Sequence, residues 1–60
     1  MNLDLMASEL SIIIYENDDL CENETFNIAR EYMLDKWGDI LIPNHQGYVL
    51  DKAYEIYYAM

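Results

Sequence analysis

Positive charge is scarce in this chain: three Lys and Arg stand against 12 Asp and Glu, giving a formal charge of -9 and an isoelectric point near 4.1. Arg30, Lys36 and Lys52 are isolated among carboxylates. Neutralising a phosphate backbone needs clustered cations, so most modes of nucleic-acid binding are ruled out and no direct contact with nucleic acid is expected, and anionic membrane surfaces are disfavoured for the same reason. Cys21 is the single cysteine, which excludes an internal disulfide. With His45 as the one histidine, a structural zinc site falls two ligands short. The longest apolar run, Ile12 to Tyr15, is far too short to cross a membrane. Met1-Asn2-Leu3-Asp4 has neither a basic leader nor a glycine at position 2 for myristoylation. The expectation is a cytoplasmic protein, in the host cytoplasm if a phage encodes it, and the unpaired thiol agrees with a reducing compartment.

What is present is a surplus of apolar side chains. Hydrophobic residues make up 53% of the chain and six are tyrosines, too many for a disordered acidic tail. Sixty residues with no internal repeat, low-complexity tract or linker read as a single domain, 1–60. A chain of this mass buries roughly 6,000 Å² on folding, about 60% of it apolar, a contribution on the order of 90 kcal/mol. Ordering the chain at about 1.5 kcal/mol per residue costs a similar sum. Homodimerisation or a partner is therefore the expected source of extra stability. Repulsion among nine excess negative charges opposes compaction, so added salt should stabilise the fold.

The spacing predicts an all-α, small three-helix domain. Over residues 2–16, Leu3, Met6, Ala7, Leu10, Ile13 and Ile14 recur at helical intervals, with Asn2 as N-cap. The β-branched run within residues 10–15 leaves an α+β alternative, with that segment as a strand. If helical, the segment places Leu5 and Ile12 opposite its main stripe. A second helix, about 23–37 and capped through Asp19 or Asn23, aligns Phe26, Ala29, Met33 and Trp37, with Gly38 at the position of a left-handed C-cap. Residues 40–42 should cross the core, and Pro43-Asn44-His45-Gln46-Gly47 reads as a turn-rich connector. A third helix is expected from Asp51 as N-cap, with Ala53, Tyr57 and Met60 on one line and Leu50 and Tyr54 beside it.

Few residues suggest catalysis. Cys21 and His45 are the one nucleophile and base pair, expected as a half-buried cysteine and an exposed loop histidine, and a catalytic site also needs contact, an orienting third group and a pocket. The chain is expected not to be an enzyme and to need no cofactor or metal. The acidic stretch 17–24 superficially resembles a calcium loop, but lacks glycine at the sixth position together with a glutamate at the twelfth. Base stacking by Tyr15, Tyr32, Tyr48, Tyr54, Tyr57 and Tyr58 would face the neighbouring Asp51 and Glu55, so a protein interface is the natural use for their rigid contact area.

Two surfaces remain. Glu24, Glu31 and Asp35 lie opposite the apolar face of the second helix, followed by Asp39, with Glu9, Glu16, Asp51 and Glu55 on the other elements. Carboxylates one and two turns apart stand roughly 5–10 Å from each other, comparable with duplex phosphates at about 7 Å. Such an array either keeps an acidic protein dissolved or presents a DNA-like potential to a basic groove. The second surface is apolar: Leu5, Ile12, Tyr54, Tyr57 and Tyr58 form a candidate interface for a homodimer or a partner. In profile, as a very short, acidic, tyrosine-rich chain without catalytic groups, it resembles the small inhibitors that phages and mobile elements encode against host restriction, CRISPR or transcription machinery. That resemblance is compositional and transfers no residue roles. It implies a non-enzymatic inhibitor acting by DNA mimicry on a basic, nucleic-acid-binding host protein. The alternative is a small structural adaptor or antitoxin-like subunit acting through the apolar and tyrosine surface.

Overall fold

Asn2 opens the first helix, α1 (Leu3–Glu16): its extended backbone lets its Oδ1 accept the amides of Asp4 at 3.0 Å and Leu5 at 3.2 Å, two donors with no intrahelical partner. The computed structural model describes residues 2–60, and helix continues through residues 10–15, so the strand alternative falls. Packing decides this against β propensity: Met6, Ala7, Leu10, Ser11 and Ile14 are buried along one helical stripe. Ser11 enters the core without an orphaned donor because its hydroxyl donates to the Ser8 carbonyl at 2.6 Å. Leu5 and Ile12 face outward, as their spacing demands.

The second helix, α2 (Glu22–Trp37), is capped at Cys21, with no side-chain cap bond from Asp19 or Asn23. Thr25 instead ties its start to the preceding turn, its hydroxyl lying 2.9 Å from the Asn17 carbonyl and 3.2 Å from that of Cys21. With that hydroxyl satisfied, Thr25 joins Ala29 and Met33 on the buried face. The expected stripe is correspondingly rotated. Phe26 is 41% exposed and lies beside the third helix, and Trp37 is half-buried. Gly38 has right-handed backbone geometry (φ -58°, ψ -31°), which corrects the left-handed C-cap expected there. Its glycine serves close approach: a Cβ would collide with the Leu34 carbonyl oxygen.

Of residues 40–42, Leu41 alone is buried, with Ile40 and Ile42 more than half exposed. The third helix, α3 (Pro43–Tyr58), begins at Pro43 and overturns both the 43–47 connector and the Asp51 cap. Ile42 is held extended (φ -73°, ψ 157°), as a residue before proline should be, and proline at the first helical position lacks an amide that would be unpaired anyway. Gln46 reinforces the start by donating from Nε2 to the Leu41 carbonyl at 3.1 Å. Burial of Val49 and Ala53 then outweighs the poor propensities of Asn44 and Gly47. Met60, expected on the Ala53 line, lies beyond the helix and is exposed.

Asp4 near the start of α1 meets Tyr48 early in α3, while Ile14 near its end shares a cleft with Tyr54 and Tyr57. These two helices therefore run parallel. Glu9 pairs with Tyr32 and Lys36, and Thr25 with Asn17, so α2 runs antiparallel to α1. The α1–α3 interface is the extensive one, and α2 is held more sparsely. Ala7, Ala29 and Ala53 are fully buried, one from each helix. The total accessible surface of 4083 Å² equals the about 4,100 Å² that a compact 7.1 kDa monomer should expose.

Candidate functional site

The acidic surface is built by α2. Glu24, Glu31 and Asp35 are all exposed and, at 100° per residue, fall within about 20° of one line along the helix. The buried Met33 defines the opposite side. Between these carboxylates the surface is apolar at Ile28, Tyr32 and Leu34, which line an open groove with Glu31 and Asp35. Asp39 continues the acidic series past the end of α2 and is exposed. Asp51 and Glu55 lie one turn apart on α3, both exposed.

Among the described residues, ion pairs engage two of the three cations. Lys36 Nζ lies 2.5 Å from Glu9 Oε2, which also accepts the Tyr32 hydroxyl at 2.6 Å. The same ammonium sits 5.3 Å from the Trp37 ring centre and 5.6 Å from that of Tyr32, within cation–π range. The two donors hold the Glu9 carboxyl below its ordinary range, Lys36 foremost, and the bond to Glu9 foremost pushes the Tyr32 phenol up. The Lys36 ammonium is held above its usual value by Glu9 and then Tyr32. Lys52 lies 3.5 Å from Glu55 on the same helix, a weak surface pair. Glu24, Glu31, Asp35, Asp39 and Asp51 have no ion-pair partner among the described residues, so their field is not locally cancelled. Asp4 accepts the Tyr48 hydroxyl at 2.8 Å, and that bond is the main cause that raises the Tyr48 phenol.

The expected apolar interface is divided between the two ends of the bundle. Leu5 lines a groove with Trp37 and Ile40, where α1 begins and α2 ends. Tyr54, Tyr57 and Tyr58 gather at the other end with Phe26. Tyr54 is central: its ring stacks on Phe26 with centroids 6.2 Å apart, meets Tyr57 edge-on at 6.4 Å and lies 6.1 Å from Tyr58. Tyr57 is half-buried and Tyr58 is 70% exposed, a divergence that follows from the 100° turn between adjacent helical residues. Ile12 is 52% exposed on the outer side of α1.

The aromatic end carries two acidic residues, Asp18 and Glu22, that sequence reasoning left unassigned to a site, together with Asp51 of the expected acidic surface. Asp18 and Glu22 line the cleft beside Tyr54, Tyr57 and Tyr58, and Asp51 joins Glu22 along its continuation towards Phe26. The available signal was spacing: Glu22 and Phe26 are four apart on α2, and Asp51, Tyr54 and Tyr58 follow the i, i+3, i+7 pattern on α3. The Tyr54 hydroxyl is shielded from solvent and has no hydrogen-bond partner among the described residues. Burial first, then the neighbouring Tyr58, Glu22 and Tyr57 charges, push its phenol up.

Cys21 and His45 are not brought together. Cys21 is exposed at the start of α2, by the aromatic end, whereas His45 lies in the first turn of α3 and is partly buried. Nine helical steps along α3, a rise of about 13.5 Å, separate His45 from Tyr54. Both expected environments, a half-buried cysteine and an exposed loop histidine, are thus corrected. No group of three His, Cys, Asp or Glu side chains converges on a common point among the described residues. Comparison with protein-family models, curated proteins and solved structures finds no match for this chain.

Proposed function

We propose that this chain is a non-enzymatic acidic binding protein, an inhibitor of the phage or mobile-element type that occupies the basic, nucleic-acid-binding surface of a host protein. One observation carries the reading: Glu24, Glu31 and Asp35 form a single exposed line on α2, with none of them in an ion pair among the described residues. A rigid row of uncompensated carboxylates at helical spacing offers a basic groove the charge density it meets on a duplex. Asp39, Asp51 and Glu55 extend the same field on neighbouring elements, and the formal charge of -9 steers a basic partner from a distance. The expected setting is the cytoplasm of the host cell.

The test is capture of partners from host lysate on the tagged protein, with half of the resin eluted by duplex DNA and half by buffer. Selective release of a basic protein by DNA is the expected result. The double variant Glu31→Lys/Asp35→Lys should fold, since both side chains are exposed, and should lose that partner. Retained binding by the folded double variant would refute the acidic-face reading.

The exposure of Leu5 (68%), Ile12 (52%) and Tyr58 (70%) favours a second reading, an adaptor or antitoxin-like subunit that dimerises or docks through apolar side chains. On that reading Ile12→Glu dissociates the assembly while the charge reversals do little. A wild-type chain that sediments as a monomer and recovers no partner resistant to DNA eliminates it.

A further inference from the structure

The aromatic end of the bundle combines two features that belong together in cation recognition. Phe26, Tyr54, Tyr57 and Tyr58 supply a continuous set of ring faces and edges, each adjacent pair with centroids between 5.3 and 6.4 Å apart. Asp18, Glu22 and Asp51 stand around them, and no lysine or arginine lines either part of the cleft. The cleft measures about 160 Å³ between the ends of α1 and α3 and continues over about 330 Å³ between α2 and α3. Tyr54 lines both parts and carries the unpartnered hydroxyl.

We propose that this cleft seats an arginine side chain presented by a basic protein partner. The proposal rests on the reading above and adds a second contact surface to it, distinct from the carboxylate line of α2. A planar guanidinium can stack on tyrosine while its edge donates to carboxylates, whereas a lysine ammonium offers a compact charge without a stacking plane. Glu22 and Asp51, from two different helices, supply acceptors on both walls for the donors of a guanidinium. Charge argues against a second copy of this chain as the occupant. Two surfaces rimmed by Asp18, Glu22 and Asp51 would face one another without a cation between them.

The experiment is a titration of the full chain with the blocked tripeptide acetyl-Gly-Arg-Gly-amide at low salt, followed by the ring and backbone NMR signals, with the lysine tripeptide as comparison. The expected result is saturable shifts at Phe26, Tyr54 and Tyr58 that are stronger with arginine. Tyr58→Ala and Asp51→Asn, both at exposed positions, should each weaken binding about tenfold. Shifts confined to Glu24, Glu31 and Asp35 would overturn the cleft proposal and leave the acidic-face reading standing. Absence of saturable shifts at the aromatic end would overturn it as well. So would shifts there that follow protein concentration without peptide, since a second copy would then be the occupant. The Glu31→Lys/Asp35→Lys variant should bind the tripeptide like the parent. Failure of that variant's lysate capture to change would count against the function reading alone.

Discussion

Gly47 and Gly38 should respond in opposite directions to the same substitution, and the contrast tests where α3 begins. Gly47 is the fifth residue of α3, with no atom within 4 Å of the position a Cβ would take. It has no positive φ, so alanine fits its backbone. Replacing glycine by alanine inside a helix gains about 0.8–1.0 kcal/mol, mainly by restricting the unfolded chain. At roughly 4–8 °C per kcal/mol for a domain of this size, Gly47→Ala should raise the melting temperature by about 3–8 °C. Gly38→Ala places its Cβ against the Leu34 carbonyl oxygen, a backbone atom that no side-chain rotation can move. Relieving such overpacking costs about 1–3 kcal/mol, a large part of the about 3–9 kcal/mol that a 60-residue domain has in total. Thermal and urea denaturation followed by far-ultraviolet circular dichroism measure both variants. A lower melting temperature for Gly47→Ala, or a Gly38→Ala variant as stable as the parent, would refute the assignment of residues 43–47 to helix and of Gly38 to a close approach. Neither glycine bears charge, so Gly47→Ala should capture the same lysate partner as the parent.

Further outcomes follow from the charge distribution and from the uneven packing. Raising sodium chloride should increase the melting temperature, because screening relieves the repulsion among nine excess negative charges; a flat or falling response in unfolding scans at several salt concentrations would contradict this. Glu9 is held below its ordinary 4.5 by Lys36 and Tyr32, so its stabilising share is present above pH 4.5 and disappears as pH falls through the lowered folded value. Glu9→Gln should therefore be less stable than the parent at neutral pH, with the gap closing below pH 4.5; a gap that stays constant across the acid range in urea titrations would exclude the coupling. Met33 is the largest buried side chain of α2, and Met33→Ala should cost about 2–5 kcal/mol, enough to unfold much of the population at 37 °C. Hydrogen exchange of the parent should find the amides of α2 opening before those of α1 and α3, since α2 is the sparsely held helix; equal protection of all three would argue otherwise.

Helix count and the placement of most candidate-site side chains were legible because both depend on spacing. Asn2 as a cap, the stripe from Leu3 to Ile14 and the outward placement of Leu5 and Ile12 follow from helical periodicity alone, as does the line of Glu24, Glu31 and Asp35 opposite Met33. The errors fall where local propensity competes with tertiary contact. Pro43, Asn44 and Gly47 carry turn chemistry, yet the segment is helical because Val49 and Ala53 bury against α1 and Gln46 closes onto Leu41. Phe26 reads as core by spacing, but the satisfied hydroxyl of Thr25 lets that smaller residue take the buried position and leaves the ring for the cleft.

The sequence by itself therefore determined a charge of -9, three amphipathic segments and an acidic line along the second of them, since these follow from residue type and a 100° step. Only the tertiary structure decided which ends meet. It set α1 parallel to α3, brought Phe26, Tyr54 and Tyr58 into one cleft with Glu22 and Asp51, sent Leu5 to the opposite end and kept Cys21 from His45. Those juxtapositions depend on how side chains from distant positions fill a shared volume, and no periodicity within a single helix encodes that.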